Sequence, residues 1–325
     1  MFASARQLEV LDLRHFGAGA LRPLLLEEAA LWERRLLWDY KRSVQLLLEY
    51  LDSRSLTGYV AMRGGRVAGY AFGVCEASKA VLGDVYAFGE GEQLDNPVSA
   101  LLLGHLLETL QATPGIDRIE SQLLLFPDGA LYEPFRTAEM RAFPRLFMLC
   151  KLPAPEPASN ASPLALQPER WQPESYMPAA ALIHEAYAGH TDSEINDQYR
   201  TLTGARRFLH NIVHFPGCGV FDPAASWVLR APQTGEMLAI VLCSRVREDS
   251  AHITQLCVKP SLRGQGMGDS LLRHCLAHLT RHGIHNVSLT VTEGNVGARR
   301  LYERHHFRTL HRFEAWTWNK NSHGI

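Results

Sequence analysis

Two stretches of the chain repeat one another at a spacing of about 170 residues, and this duplication limits the available folds more than any other feature. In the first half, 59–62, the turn Arg63-Gly64-Gly65 and 67–72 read as strand, glycine turn and strand. In the second half 227–229, 232–235 and 237–242 read the same way, with Gly65 and Gly235 in equivalent turns. Leu101, Leu102 and Leu106 align with Leu271, Leu272 and Leu276, and the tripeptide Leu131-Tyr132-Glu133 returns as Leu301-Tyr302-Glu303. Each half runs in one order: a starting strand and helices (24–51; 178–214), the hairpin, a third extended run (80–88; 252–258), a helix (97–111; 267–282), another strand, a short helix and a closing pair of strands. Strand, helix and strand in succession imply a parallel pair within a mixed sheet. The expectation is an α/β chain of two tandem domains, each a mixed, partly parallel sheet flanked by helices. Pro153, Pro155, Pro157 and Pro163 stand among small polar residues, a composition that makes neither helix nor central strand. The expected boundaries are therefore 1–152 and 164–325, joined by an extended linker at 153–163.

The charge balance, 33 Lys+Arg against 34 Asp+Glu, argues against a nucleic-acid clamp, which concentrates basic charge on one face. No apolar run approaches the ~18 residues of a spanning helix, and Arg6, Glu9 and Asp12 interrupt what a signal peptide keeps apolar. A cytoplasmic protein without membrane contact is expected. None of the six cysteines forms a C-x-x-C pair, so reduced core thiols and no metal are expected. His274, His278 and His282 recur every four residues beside the apolar positions Leu271, Leu272, Cys275, Leu276 and Leu279, which places them on a solvated helix face. Nothing in the sequence addresses the oligomeric state.

The segment 252–268 carries the clearest chemistry. A strand ends at Pro260, and Arg263-Gly264-Gln265-Gly266-Met267-Gly268 then opens a helix. Its glycines allow positive φ and close backbone approach, so successive N–H groups can converge on an anion at the helix N-terminus. No Gly-Lys-Ser/Thr follows, which excludes a P-loop. A dinucleotide fingerprint lacks the Val-x-Pro-x-x-Arg prefix seen here.

These residues resemble the GNAT N-acetyltransferase superfamily, whose signature is Arg/Gln-x-x-Gly-x-Gly/Ala after a strand. Leu256-Cys257-Val258-Lys259-Pro260 before the loop, and Asn295, Ala298, Leu301-Tyr302-Glu303 and Phe307 after it, match the family's surroundings. The resemblance implies transfer of an acetyl group from acetyl-CoA to a primary amine, on a small molecule or peptide, by direct attack. It further implies that backbone N–H groups of Arg263, Gly264, Gln265, Gly266, Met267 and Gly268 hold the CoA pyrophosphate. Leu256 and Val258 would pair with pantetheine, the Val258 N–H polarising the thioester carbonyl. Asn295 would contact pantetheine, and Tyr302 would protonate the departing thiolate; packing beside Ala298 and Leu301 is its alternative role. A phenol of pKa ~10 stays protonated at neutral pH and can donate to a thiolate whose acid is near ~8.5. A lysine-like acceptor of pKa ~10.4 needs ~4.6 kcal/mol to present its neutral form at pH 7, so a base is expected. Strict alternation places His252 and Thr254 on the face of Leu256 and Val258, which makes His252 a candidate, with Glu293 at the end of the next strand another.

The first half departs from the pattern. At the repeat spacing, 263–268 corresponds to Gln93-Leu94-Asp95-Asn96-Pro97-Val98, without glycines, with a proline lacking N–H, and with an aspartate that repels phosphate. Tyr132 survives, but Asn295 has no polar counterpart. The expectation is a degenerate domain beside a catalytic one, a layout similar to mycothiol synthases. The alternative is a non-catalytic acyl-CoA-binding sensor of the same fold. Both need the glycine loop; only the enzyme needs Tyr302 and a base.

Overall fold

The computed structural model describes residues 8–89, 97–154, 166–215 and 217–320. The chain divides into two compact units, Met1–Pro144 with Phe313–Ile325, and Arg145–Arg312. Each unit is therefore completed by the strand that closes the other half of the sequence, whereas the sequence suggested one division at 153–163. Residues 155–163 of that stretch, and 93–96 of the degenerate loop, lie outside the described residues.

The first unit begins with β1 (Leu8–Asp12), α1 (Ala18–Leu36) and α2 (Lys41–Asp52), followed by β2 (Thr57–Arg63), β3 (Arg66–Glu76) and β4 (Lys79–Ala87). Then come α3 (Pro97–Ala112), β5 (Arg118–Gln122) and α4 (Tyr132–Thr137), with β6 (Arg141–Lys151) leading into the second unit. The β2–β3 hairpin closes on Gly64 and Gly65, as its turn residues predicted. Val98, Leu102, Leu106 and Leu110 bury one face of α3 at helical spacing. Neighbouring strands are antiparallel except β4 and β5, whose parallel pairing spans only Lys79–Arg118 to Val81–Glu120.

The second unit adds β7 (Glu169–Arg170), α5 (Tyr176–Tyr187), α6 (Asp192–Ile195), α7 (Leu202–His214), β8 (Val220–Phe221), β9 (Trp227–Arg230) and β10 (Met237–Arg247). It continues through β11 (Ser250–Val258), α8 (Met267–Arg281), β12 (Asn286–Thr292) and α9 (Val296–Arg304) into β13 (Arg308–Asn319). The end of β13 pairs with β5 in the first unit, where Trp316 stacks on Phe135 at 4.8 Å. The second sheet runs β6-β12-β11-β10-β9-β7, with β11 and β12 parallel and the other pairs antiparallel. One face packs on α8 through Leu271, Cys275, Val287, Leu289 and Met148; the other packs on α5 and α7 through Ile183, Leu209, Ile240 and Leu242.

Two expectations change here. The β10–β11 register passes from Leu242–Gln255 to Cys243–Ile253, leaving Thr254 as an extra residue. This bulge reverses the alternation. Ala251, Ile253, Leu256 and Val258 consequently share the α8 side, whereas Cys257 packs toward α5, and His252 lies on the face opposite Leu256 and Val258. The histidines of α8 are not all solvated either. His278 is 2% exposed, packed against Trp227 and stacked on His282 at 4.0 Å. The helix end of the sheet covers more of α8 than its apolar stripe alone indicated.

Candidate active site

The parallel pairing of β11 with β12 stops at Ile253–Leu289, although β11 runs on to Val258 beside β10. Beyond that point the two strands part, and among the described residues no strand pairs with the β12-side edge of β11. Lys259 N donates to Leu238 O at 2.8 Å, on the β10 side. The two-residue alternation of an antiparallel pair then turns the N–H groups of Leu256 and Val258 to the opposite, open edge.

At the end of this edge, a short 3₁₀ turn from Pro260 to Leu262 leads into the glycine loop. Gly264 and Gly266 have φ of 79° and 78°, a region that L-residues enter at a cost. Among the described residues, no backbone carbonyl accepts from the N–H groups of Gly264 to Asp269; the first helical bond is Ser270 N to Gly266 O at 2.9 Å. Six successive free donors at a helix N-terminus form an anion cradle. Arg263 stands slightly apart from the role the resemblance implied. Its N–H faces Pro260 O at 3.4 Å, and its guanidinium donates to Ala186 O, bracing the loop on the end of α5. Gly268 brings α8 against its neighbours: a Cβ there would meet Leu301 Cδ2 at 3.3 Å.

A cavity of about 670 Å³ joins these features, lined by Leu256, Val258, the whole 263–268 loop, Asn295 and Tyr302. The sequence-derived residues for cofactor binding and for the acid are thus brought together. Asn295 also caps α9, its Oδ1 accepting from Ala298 N at 3.1 Å. Tyr302 is 7% exposed, and among the described residues nothing hydrogen-bonds its hydroxyl. Burial pushes its phenol above the usual value, and the nearby Asp192 carboxylate acts in the same direction. By contrast Tyr132, its repeat counterpart, is 46% exposed.

The two base candidates lie outside this lining. His252 is buried in the sheet with Nδ1 2.9 Å from Ser288 Oγ, and burial, reinforced by Arg145, lowers its pKa to about 3. Glu293 pairs with Arg312 at 2.8 Å. Among the described residues, no cluster of three metal-ligating side chains occurs.

Several lining residues carried no sequence signal. Tyr187 and His190 come from the end of α5 and the following loop; Tyr187 stacks on Tyr199 at 4.1 Å, and His190 Nε2 lies 3.4 Å from Asn295 Nδ2. Asp192, just behind the lining, is tied down: its carboxylate accepts from Thr292 Oγ1, and its backbone N–H donates to His190 Nδ1 at 3.1 Å. Asp269, in the first turn of α8, is buried and held by Arg273 and His305, at 2.5 and 2.9 Å. Burial favours its neutral form, but these partners outweigh it and keep the pKa low. Only the packing of distant segments reveals these groups.

Comparison with known proteins agrees with this geometry. Residues 194–307 match the Acetyltransferase (GNAT) family model. The ribosomal protein bS18 alanine N-acetyltransferase of Escherichia coli (strain K12) is 34% identical over 71 residues, which are 22% of this chain and 47% of that protein. The chain spans about half the length of the curated relatives it matches. Across nearly the whole chain, the fold is similar to a GCN5-related N-acetyltransferase from Sphaerobacter thermophilus, with TM-score 0.63, 17% identity and coverage of 98% and 97% of the two chains. It is also similar to a tandem GNAT protein from the clavulanic acid biosynthesis pathway, with TM-score 0.58, 14% identity and coverage of 97% and 99%. The match to the GNAT acetyltransferase family thus covers residues 194–307, within the C-terminal half, and the fold of nearly the whole chain is similar to solved GNAT proteins.

Proposed function

We propose that the second unit transfers an acetyl group from acetyl-CoA to a primary amine by direct attack. The observation that carries this reading is the continuity of the free N–H cradle, the open β11 edge and Tyr302 in one cavity. Acetyl-CoA supplies a thioester whose C–S bond breaks as the amine forms the new C–N bond. The N–H groups of Gly264 to Asp269 receive the pyrophosphate, and the helix dipole of α8 adds to their field. Leu256 and Val258 extend the sheet edge toward pantetheine, and the Val258 N–H faces the oxygen on which charge develops. Tyr302 donates its proton to the sulfur as the thiolate departs. Its burial keeps the phenol protonated at neutral pH, so the proton is on hand when the thiolate departs.

His190 is the imidazole on the cavity lining, so it is better placed than His252 or Glu293 to take the amine's proton, which it does at Nδ1 by giving up the bond from Asp192 N–H. Asp192 beside it favours the approach of a cationic amine. The first unit keeps the fold without the glycine cradle, since Pro97 begins α3 where the second unit has free donors. Among the described residues no helix is long and apolar enough to cross a membrane. We place the enzyme in the cytoplasm, in keeping with six free cysteines.

The test is direct: calorimetry should find one acetyl-CoA equivalent per chain, and an amine panel should release free CoA thiol. Two equal sites, or no binding, would reject the assignment. Binding without turnover of any amine would favour an acyl-CoA sensor.

A further inference from the structure

The α5-side face of the second sheet holds a charged group that the transfer chemistry leaves unused. Leu146 and Met148 enter the core under α8, so Arg145 turns to the opposite face; Val287, Leu289 and Val291 likewise turn Ser288, Thr290 and Thr292 there. Arg145 is 9% exposed. Its Nη2 donates to Thr290 Oγ1 at 3.3 Å, while its Nε has no partner. Among the described residues, it has no ion-pair partner. A buried guanidinium without a counter-charge is strongly unfavourable, because its hydration is lost and nothing replaces it. Gln255, 5% exposed, brings a second unpaired donor: beyond the bulge it returns to this same face, and its Nε2 also lacks a partner.

A negative group stands close by. Thr292, two residues from Thr290 on the same face of β12, holds Asp192, so the two anchoring positions are separated by about 7 Å. Thr292, which holds Asp192, lies directly opposite Arg145 in the β6–β12 register, and both charges act on Tyr302, with opposite signs, from behind the cavity lining. They are nevertheless not bonded to each other.

Given the acetyltransferase reading above, we propose that the acceptor is a zwitterion, a primary amine that also bears a carboxylate, with Arg145 receiving the carboxylate and Asp192 facing the ammonium. The buried charges then find their partners in the substrate. One guanidinium opposed by one carboxylate suits a monoanion, whereas a phosphate dianion would meet Asp192 without a second cation. The free Nε–H of Arg145 suits the planar, two-oxygen geometry of a carboxylate.

The experiment compares α-amino acids with their C-terminal amides as matched acceptors, following thiol release from acetyl-CoA, in wild type and Arg145→Met. Calorimetric acetyl-CoA affinity controls for folding. Wild type should favour the carboxylates by roughly 10- to 100-fold in kcat/KM, as for hydrogen bonds to a charged group. Arg145→Met should erase that preference and leave acetyl-CoA affinity unchanged. Arg145→Lys, which keeps the charge and loses the fork, should restore part of it. Equal use of amides and acids, or a preference that survives Arg145→Met, overturns the proposal. Acetyl-CoA binding with no panel member turned over rejects this acceptor class alone; failure to bind acetyl-CoA rejects the acetyltransferase reading and this proposal together. If Arg145→Met does not fold, the wild-type comparison and Arg145→Lys decide.

Discussion

Replacing Gly266 by aspartate tests the anion cradle with little disturbance elsewhere. Gly266 precedes the first turn of α8 at φ 78°, ψ −1°. An L-residue in that region costs about 1–2 kcal/mol, and aspartate is among those that tolerate it best, so the fold should survive. The new carboxylate would enter the cradle formed by the N–H groups of Gly264 to Asp269. At ~5 Å and an effective dielectric of ~20, one pair of unit charges repels by about 3 kcal/mol; a pyrophosphate carrying two charges roughly doubles this before salt screening. Retaining about half gives ~3 kcal/mol, or roughly 100-fold weaker acetyl-CoA binding. Calorimetry at two salt concentrations should show that loss, smaller at the higher salt. Gly266→Ala, which carries the same backbone strain without the charge, should lose under about tenfold. If Gly266→Asp melts near wild type and binds acetyl-CoA within about threefold of it, the reasoning fails, because repulsion of this size cannot be hidden.

Tyr302→Phe keeps the ring against Phe307, at 5.9 Å, and removes only the hydroxyl. With chemistry shown to be rate-limiting, kcat should fall by roughly 10²-fold or more with acetyl-CoA affinity little changed, and a near-normal kcat in a thiol-release assay would remove Tyr302 as the acid. His252→Gln should leave kcat within about threefold, because a buried imidazole with pKa about 3 is already neutral during turnover. Its depressed pKa contributes stability that is present above the unfolded value of 6.5 and is lost as pH falls toward 3, so the variant's melting temperature should decline less over that interval. In the first unit, burial raises the pKa of Glu28, against a hydrogen bond shared with Asp84 and those donated by Tyr70 and Trp32. A carboxyl with a raised pKa contributes stability that is present below its unfolded value of 4.5 and is lost as pH rises through the folded value. Glu28→Gln should therefore melt with a shallower decline as the pH rises above 4.5; slopes equal to wild type would show that Glu28 is not the group responsible.

Much of the candidate site was legible before folding because its parts are local. Gly264, Gly266 and Gly268 lie in one loop, and a cradle of backbone donors needs only positive φ at fixed spacing and a helix to follow. Asn295 and Tyr302 belong to one short helix and its cap, and hydrophobic periodicity sets their relative placement. The repeated hairpin and leucine pattern marked two similar α/β units for the same reason: turns and helix faces are short-range properties. The base was not legible. A single bulge at Thr254 turned His252 to the other face of β11, and bulges leave no mark in an apolar alternation. Nor does sequence spacing reveal that β6 and the end of β13 complete each other's units, since strand pairing joins edges regardless of chain order. Tyr187, His190 and Asp192 come from the end of α5 and the residues just after it, and Arg145 from β6; their burial, unpaired donors and mutual fields exist only once these segments pack. The sequence by itself determined the backbone chemistry that can hold a phosphate; the tertiary structure decided which charges face the acceptor, because desolvation and proximity between distant residues arise only on folding.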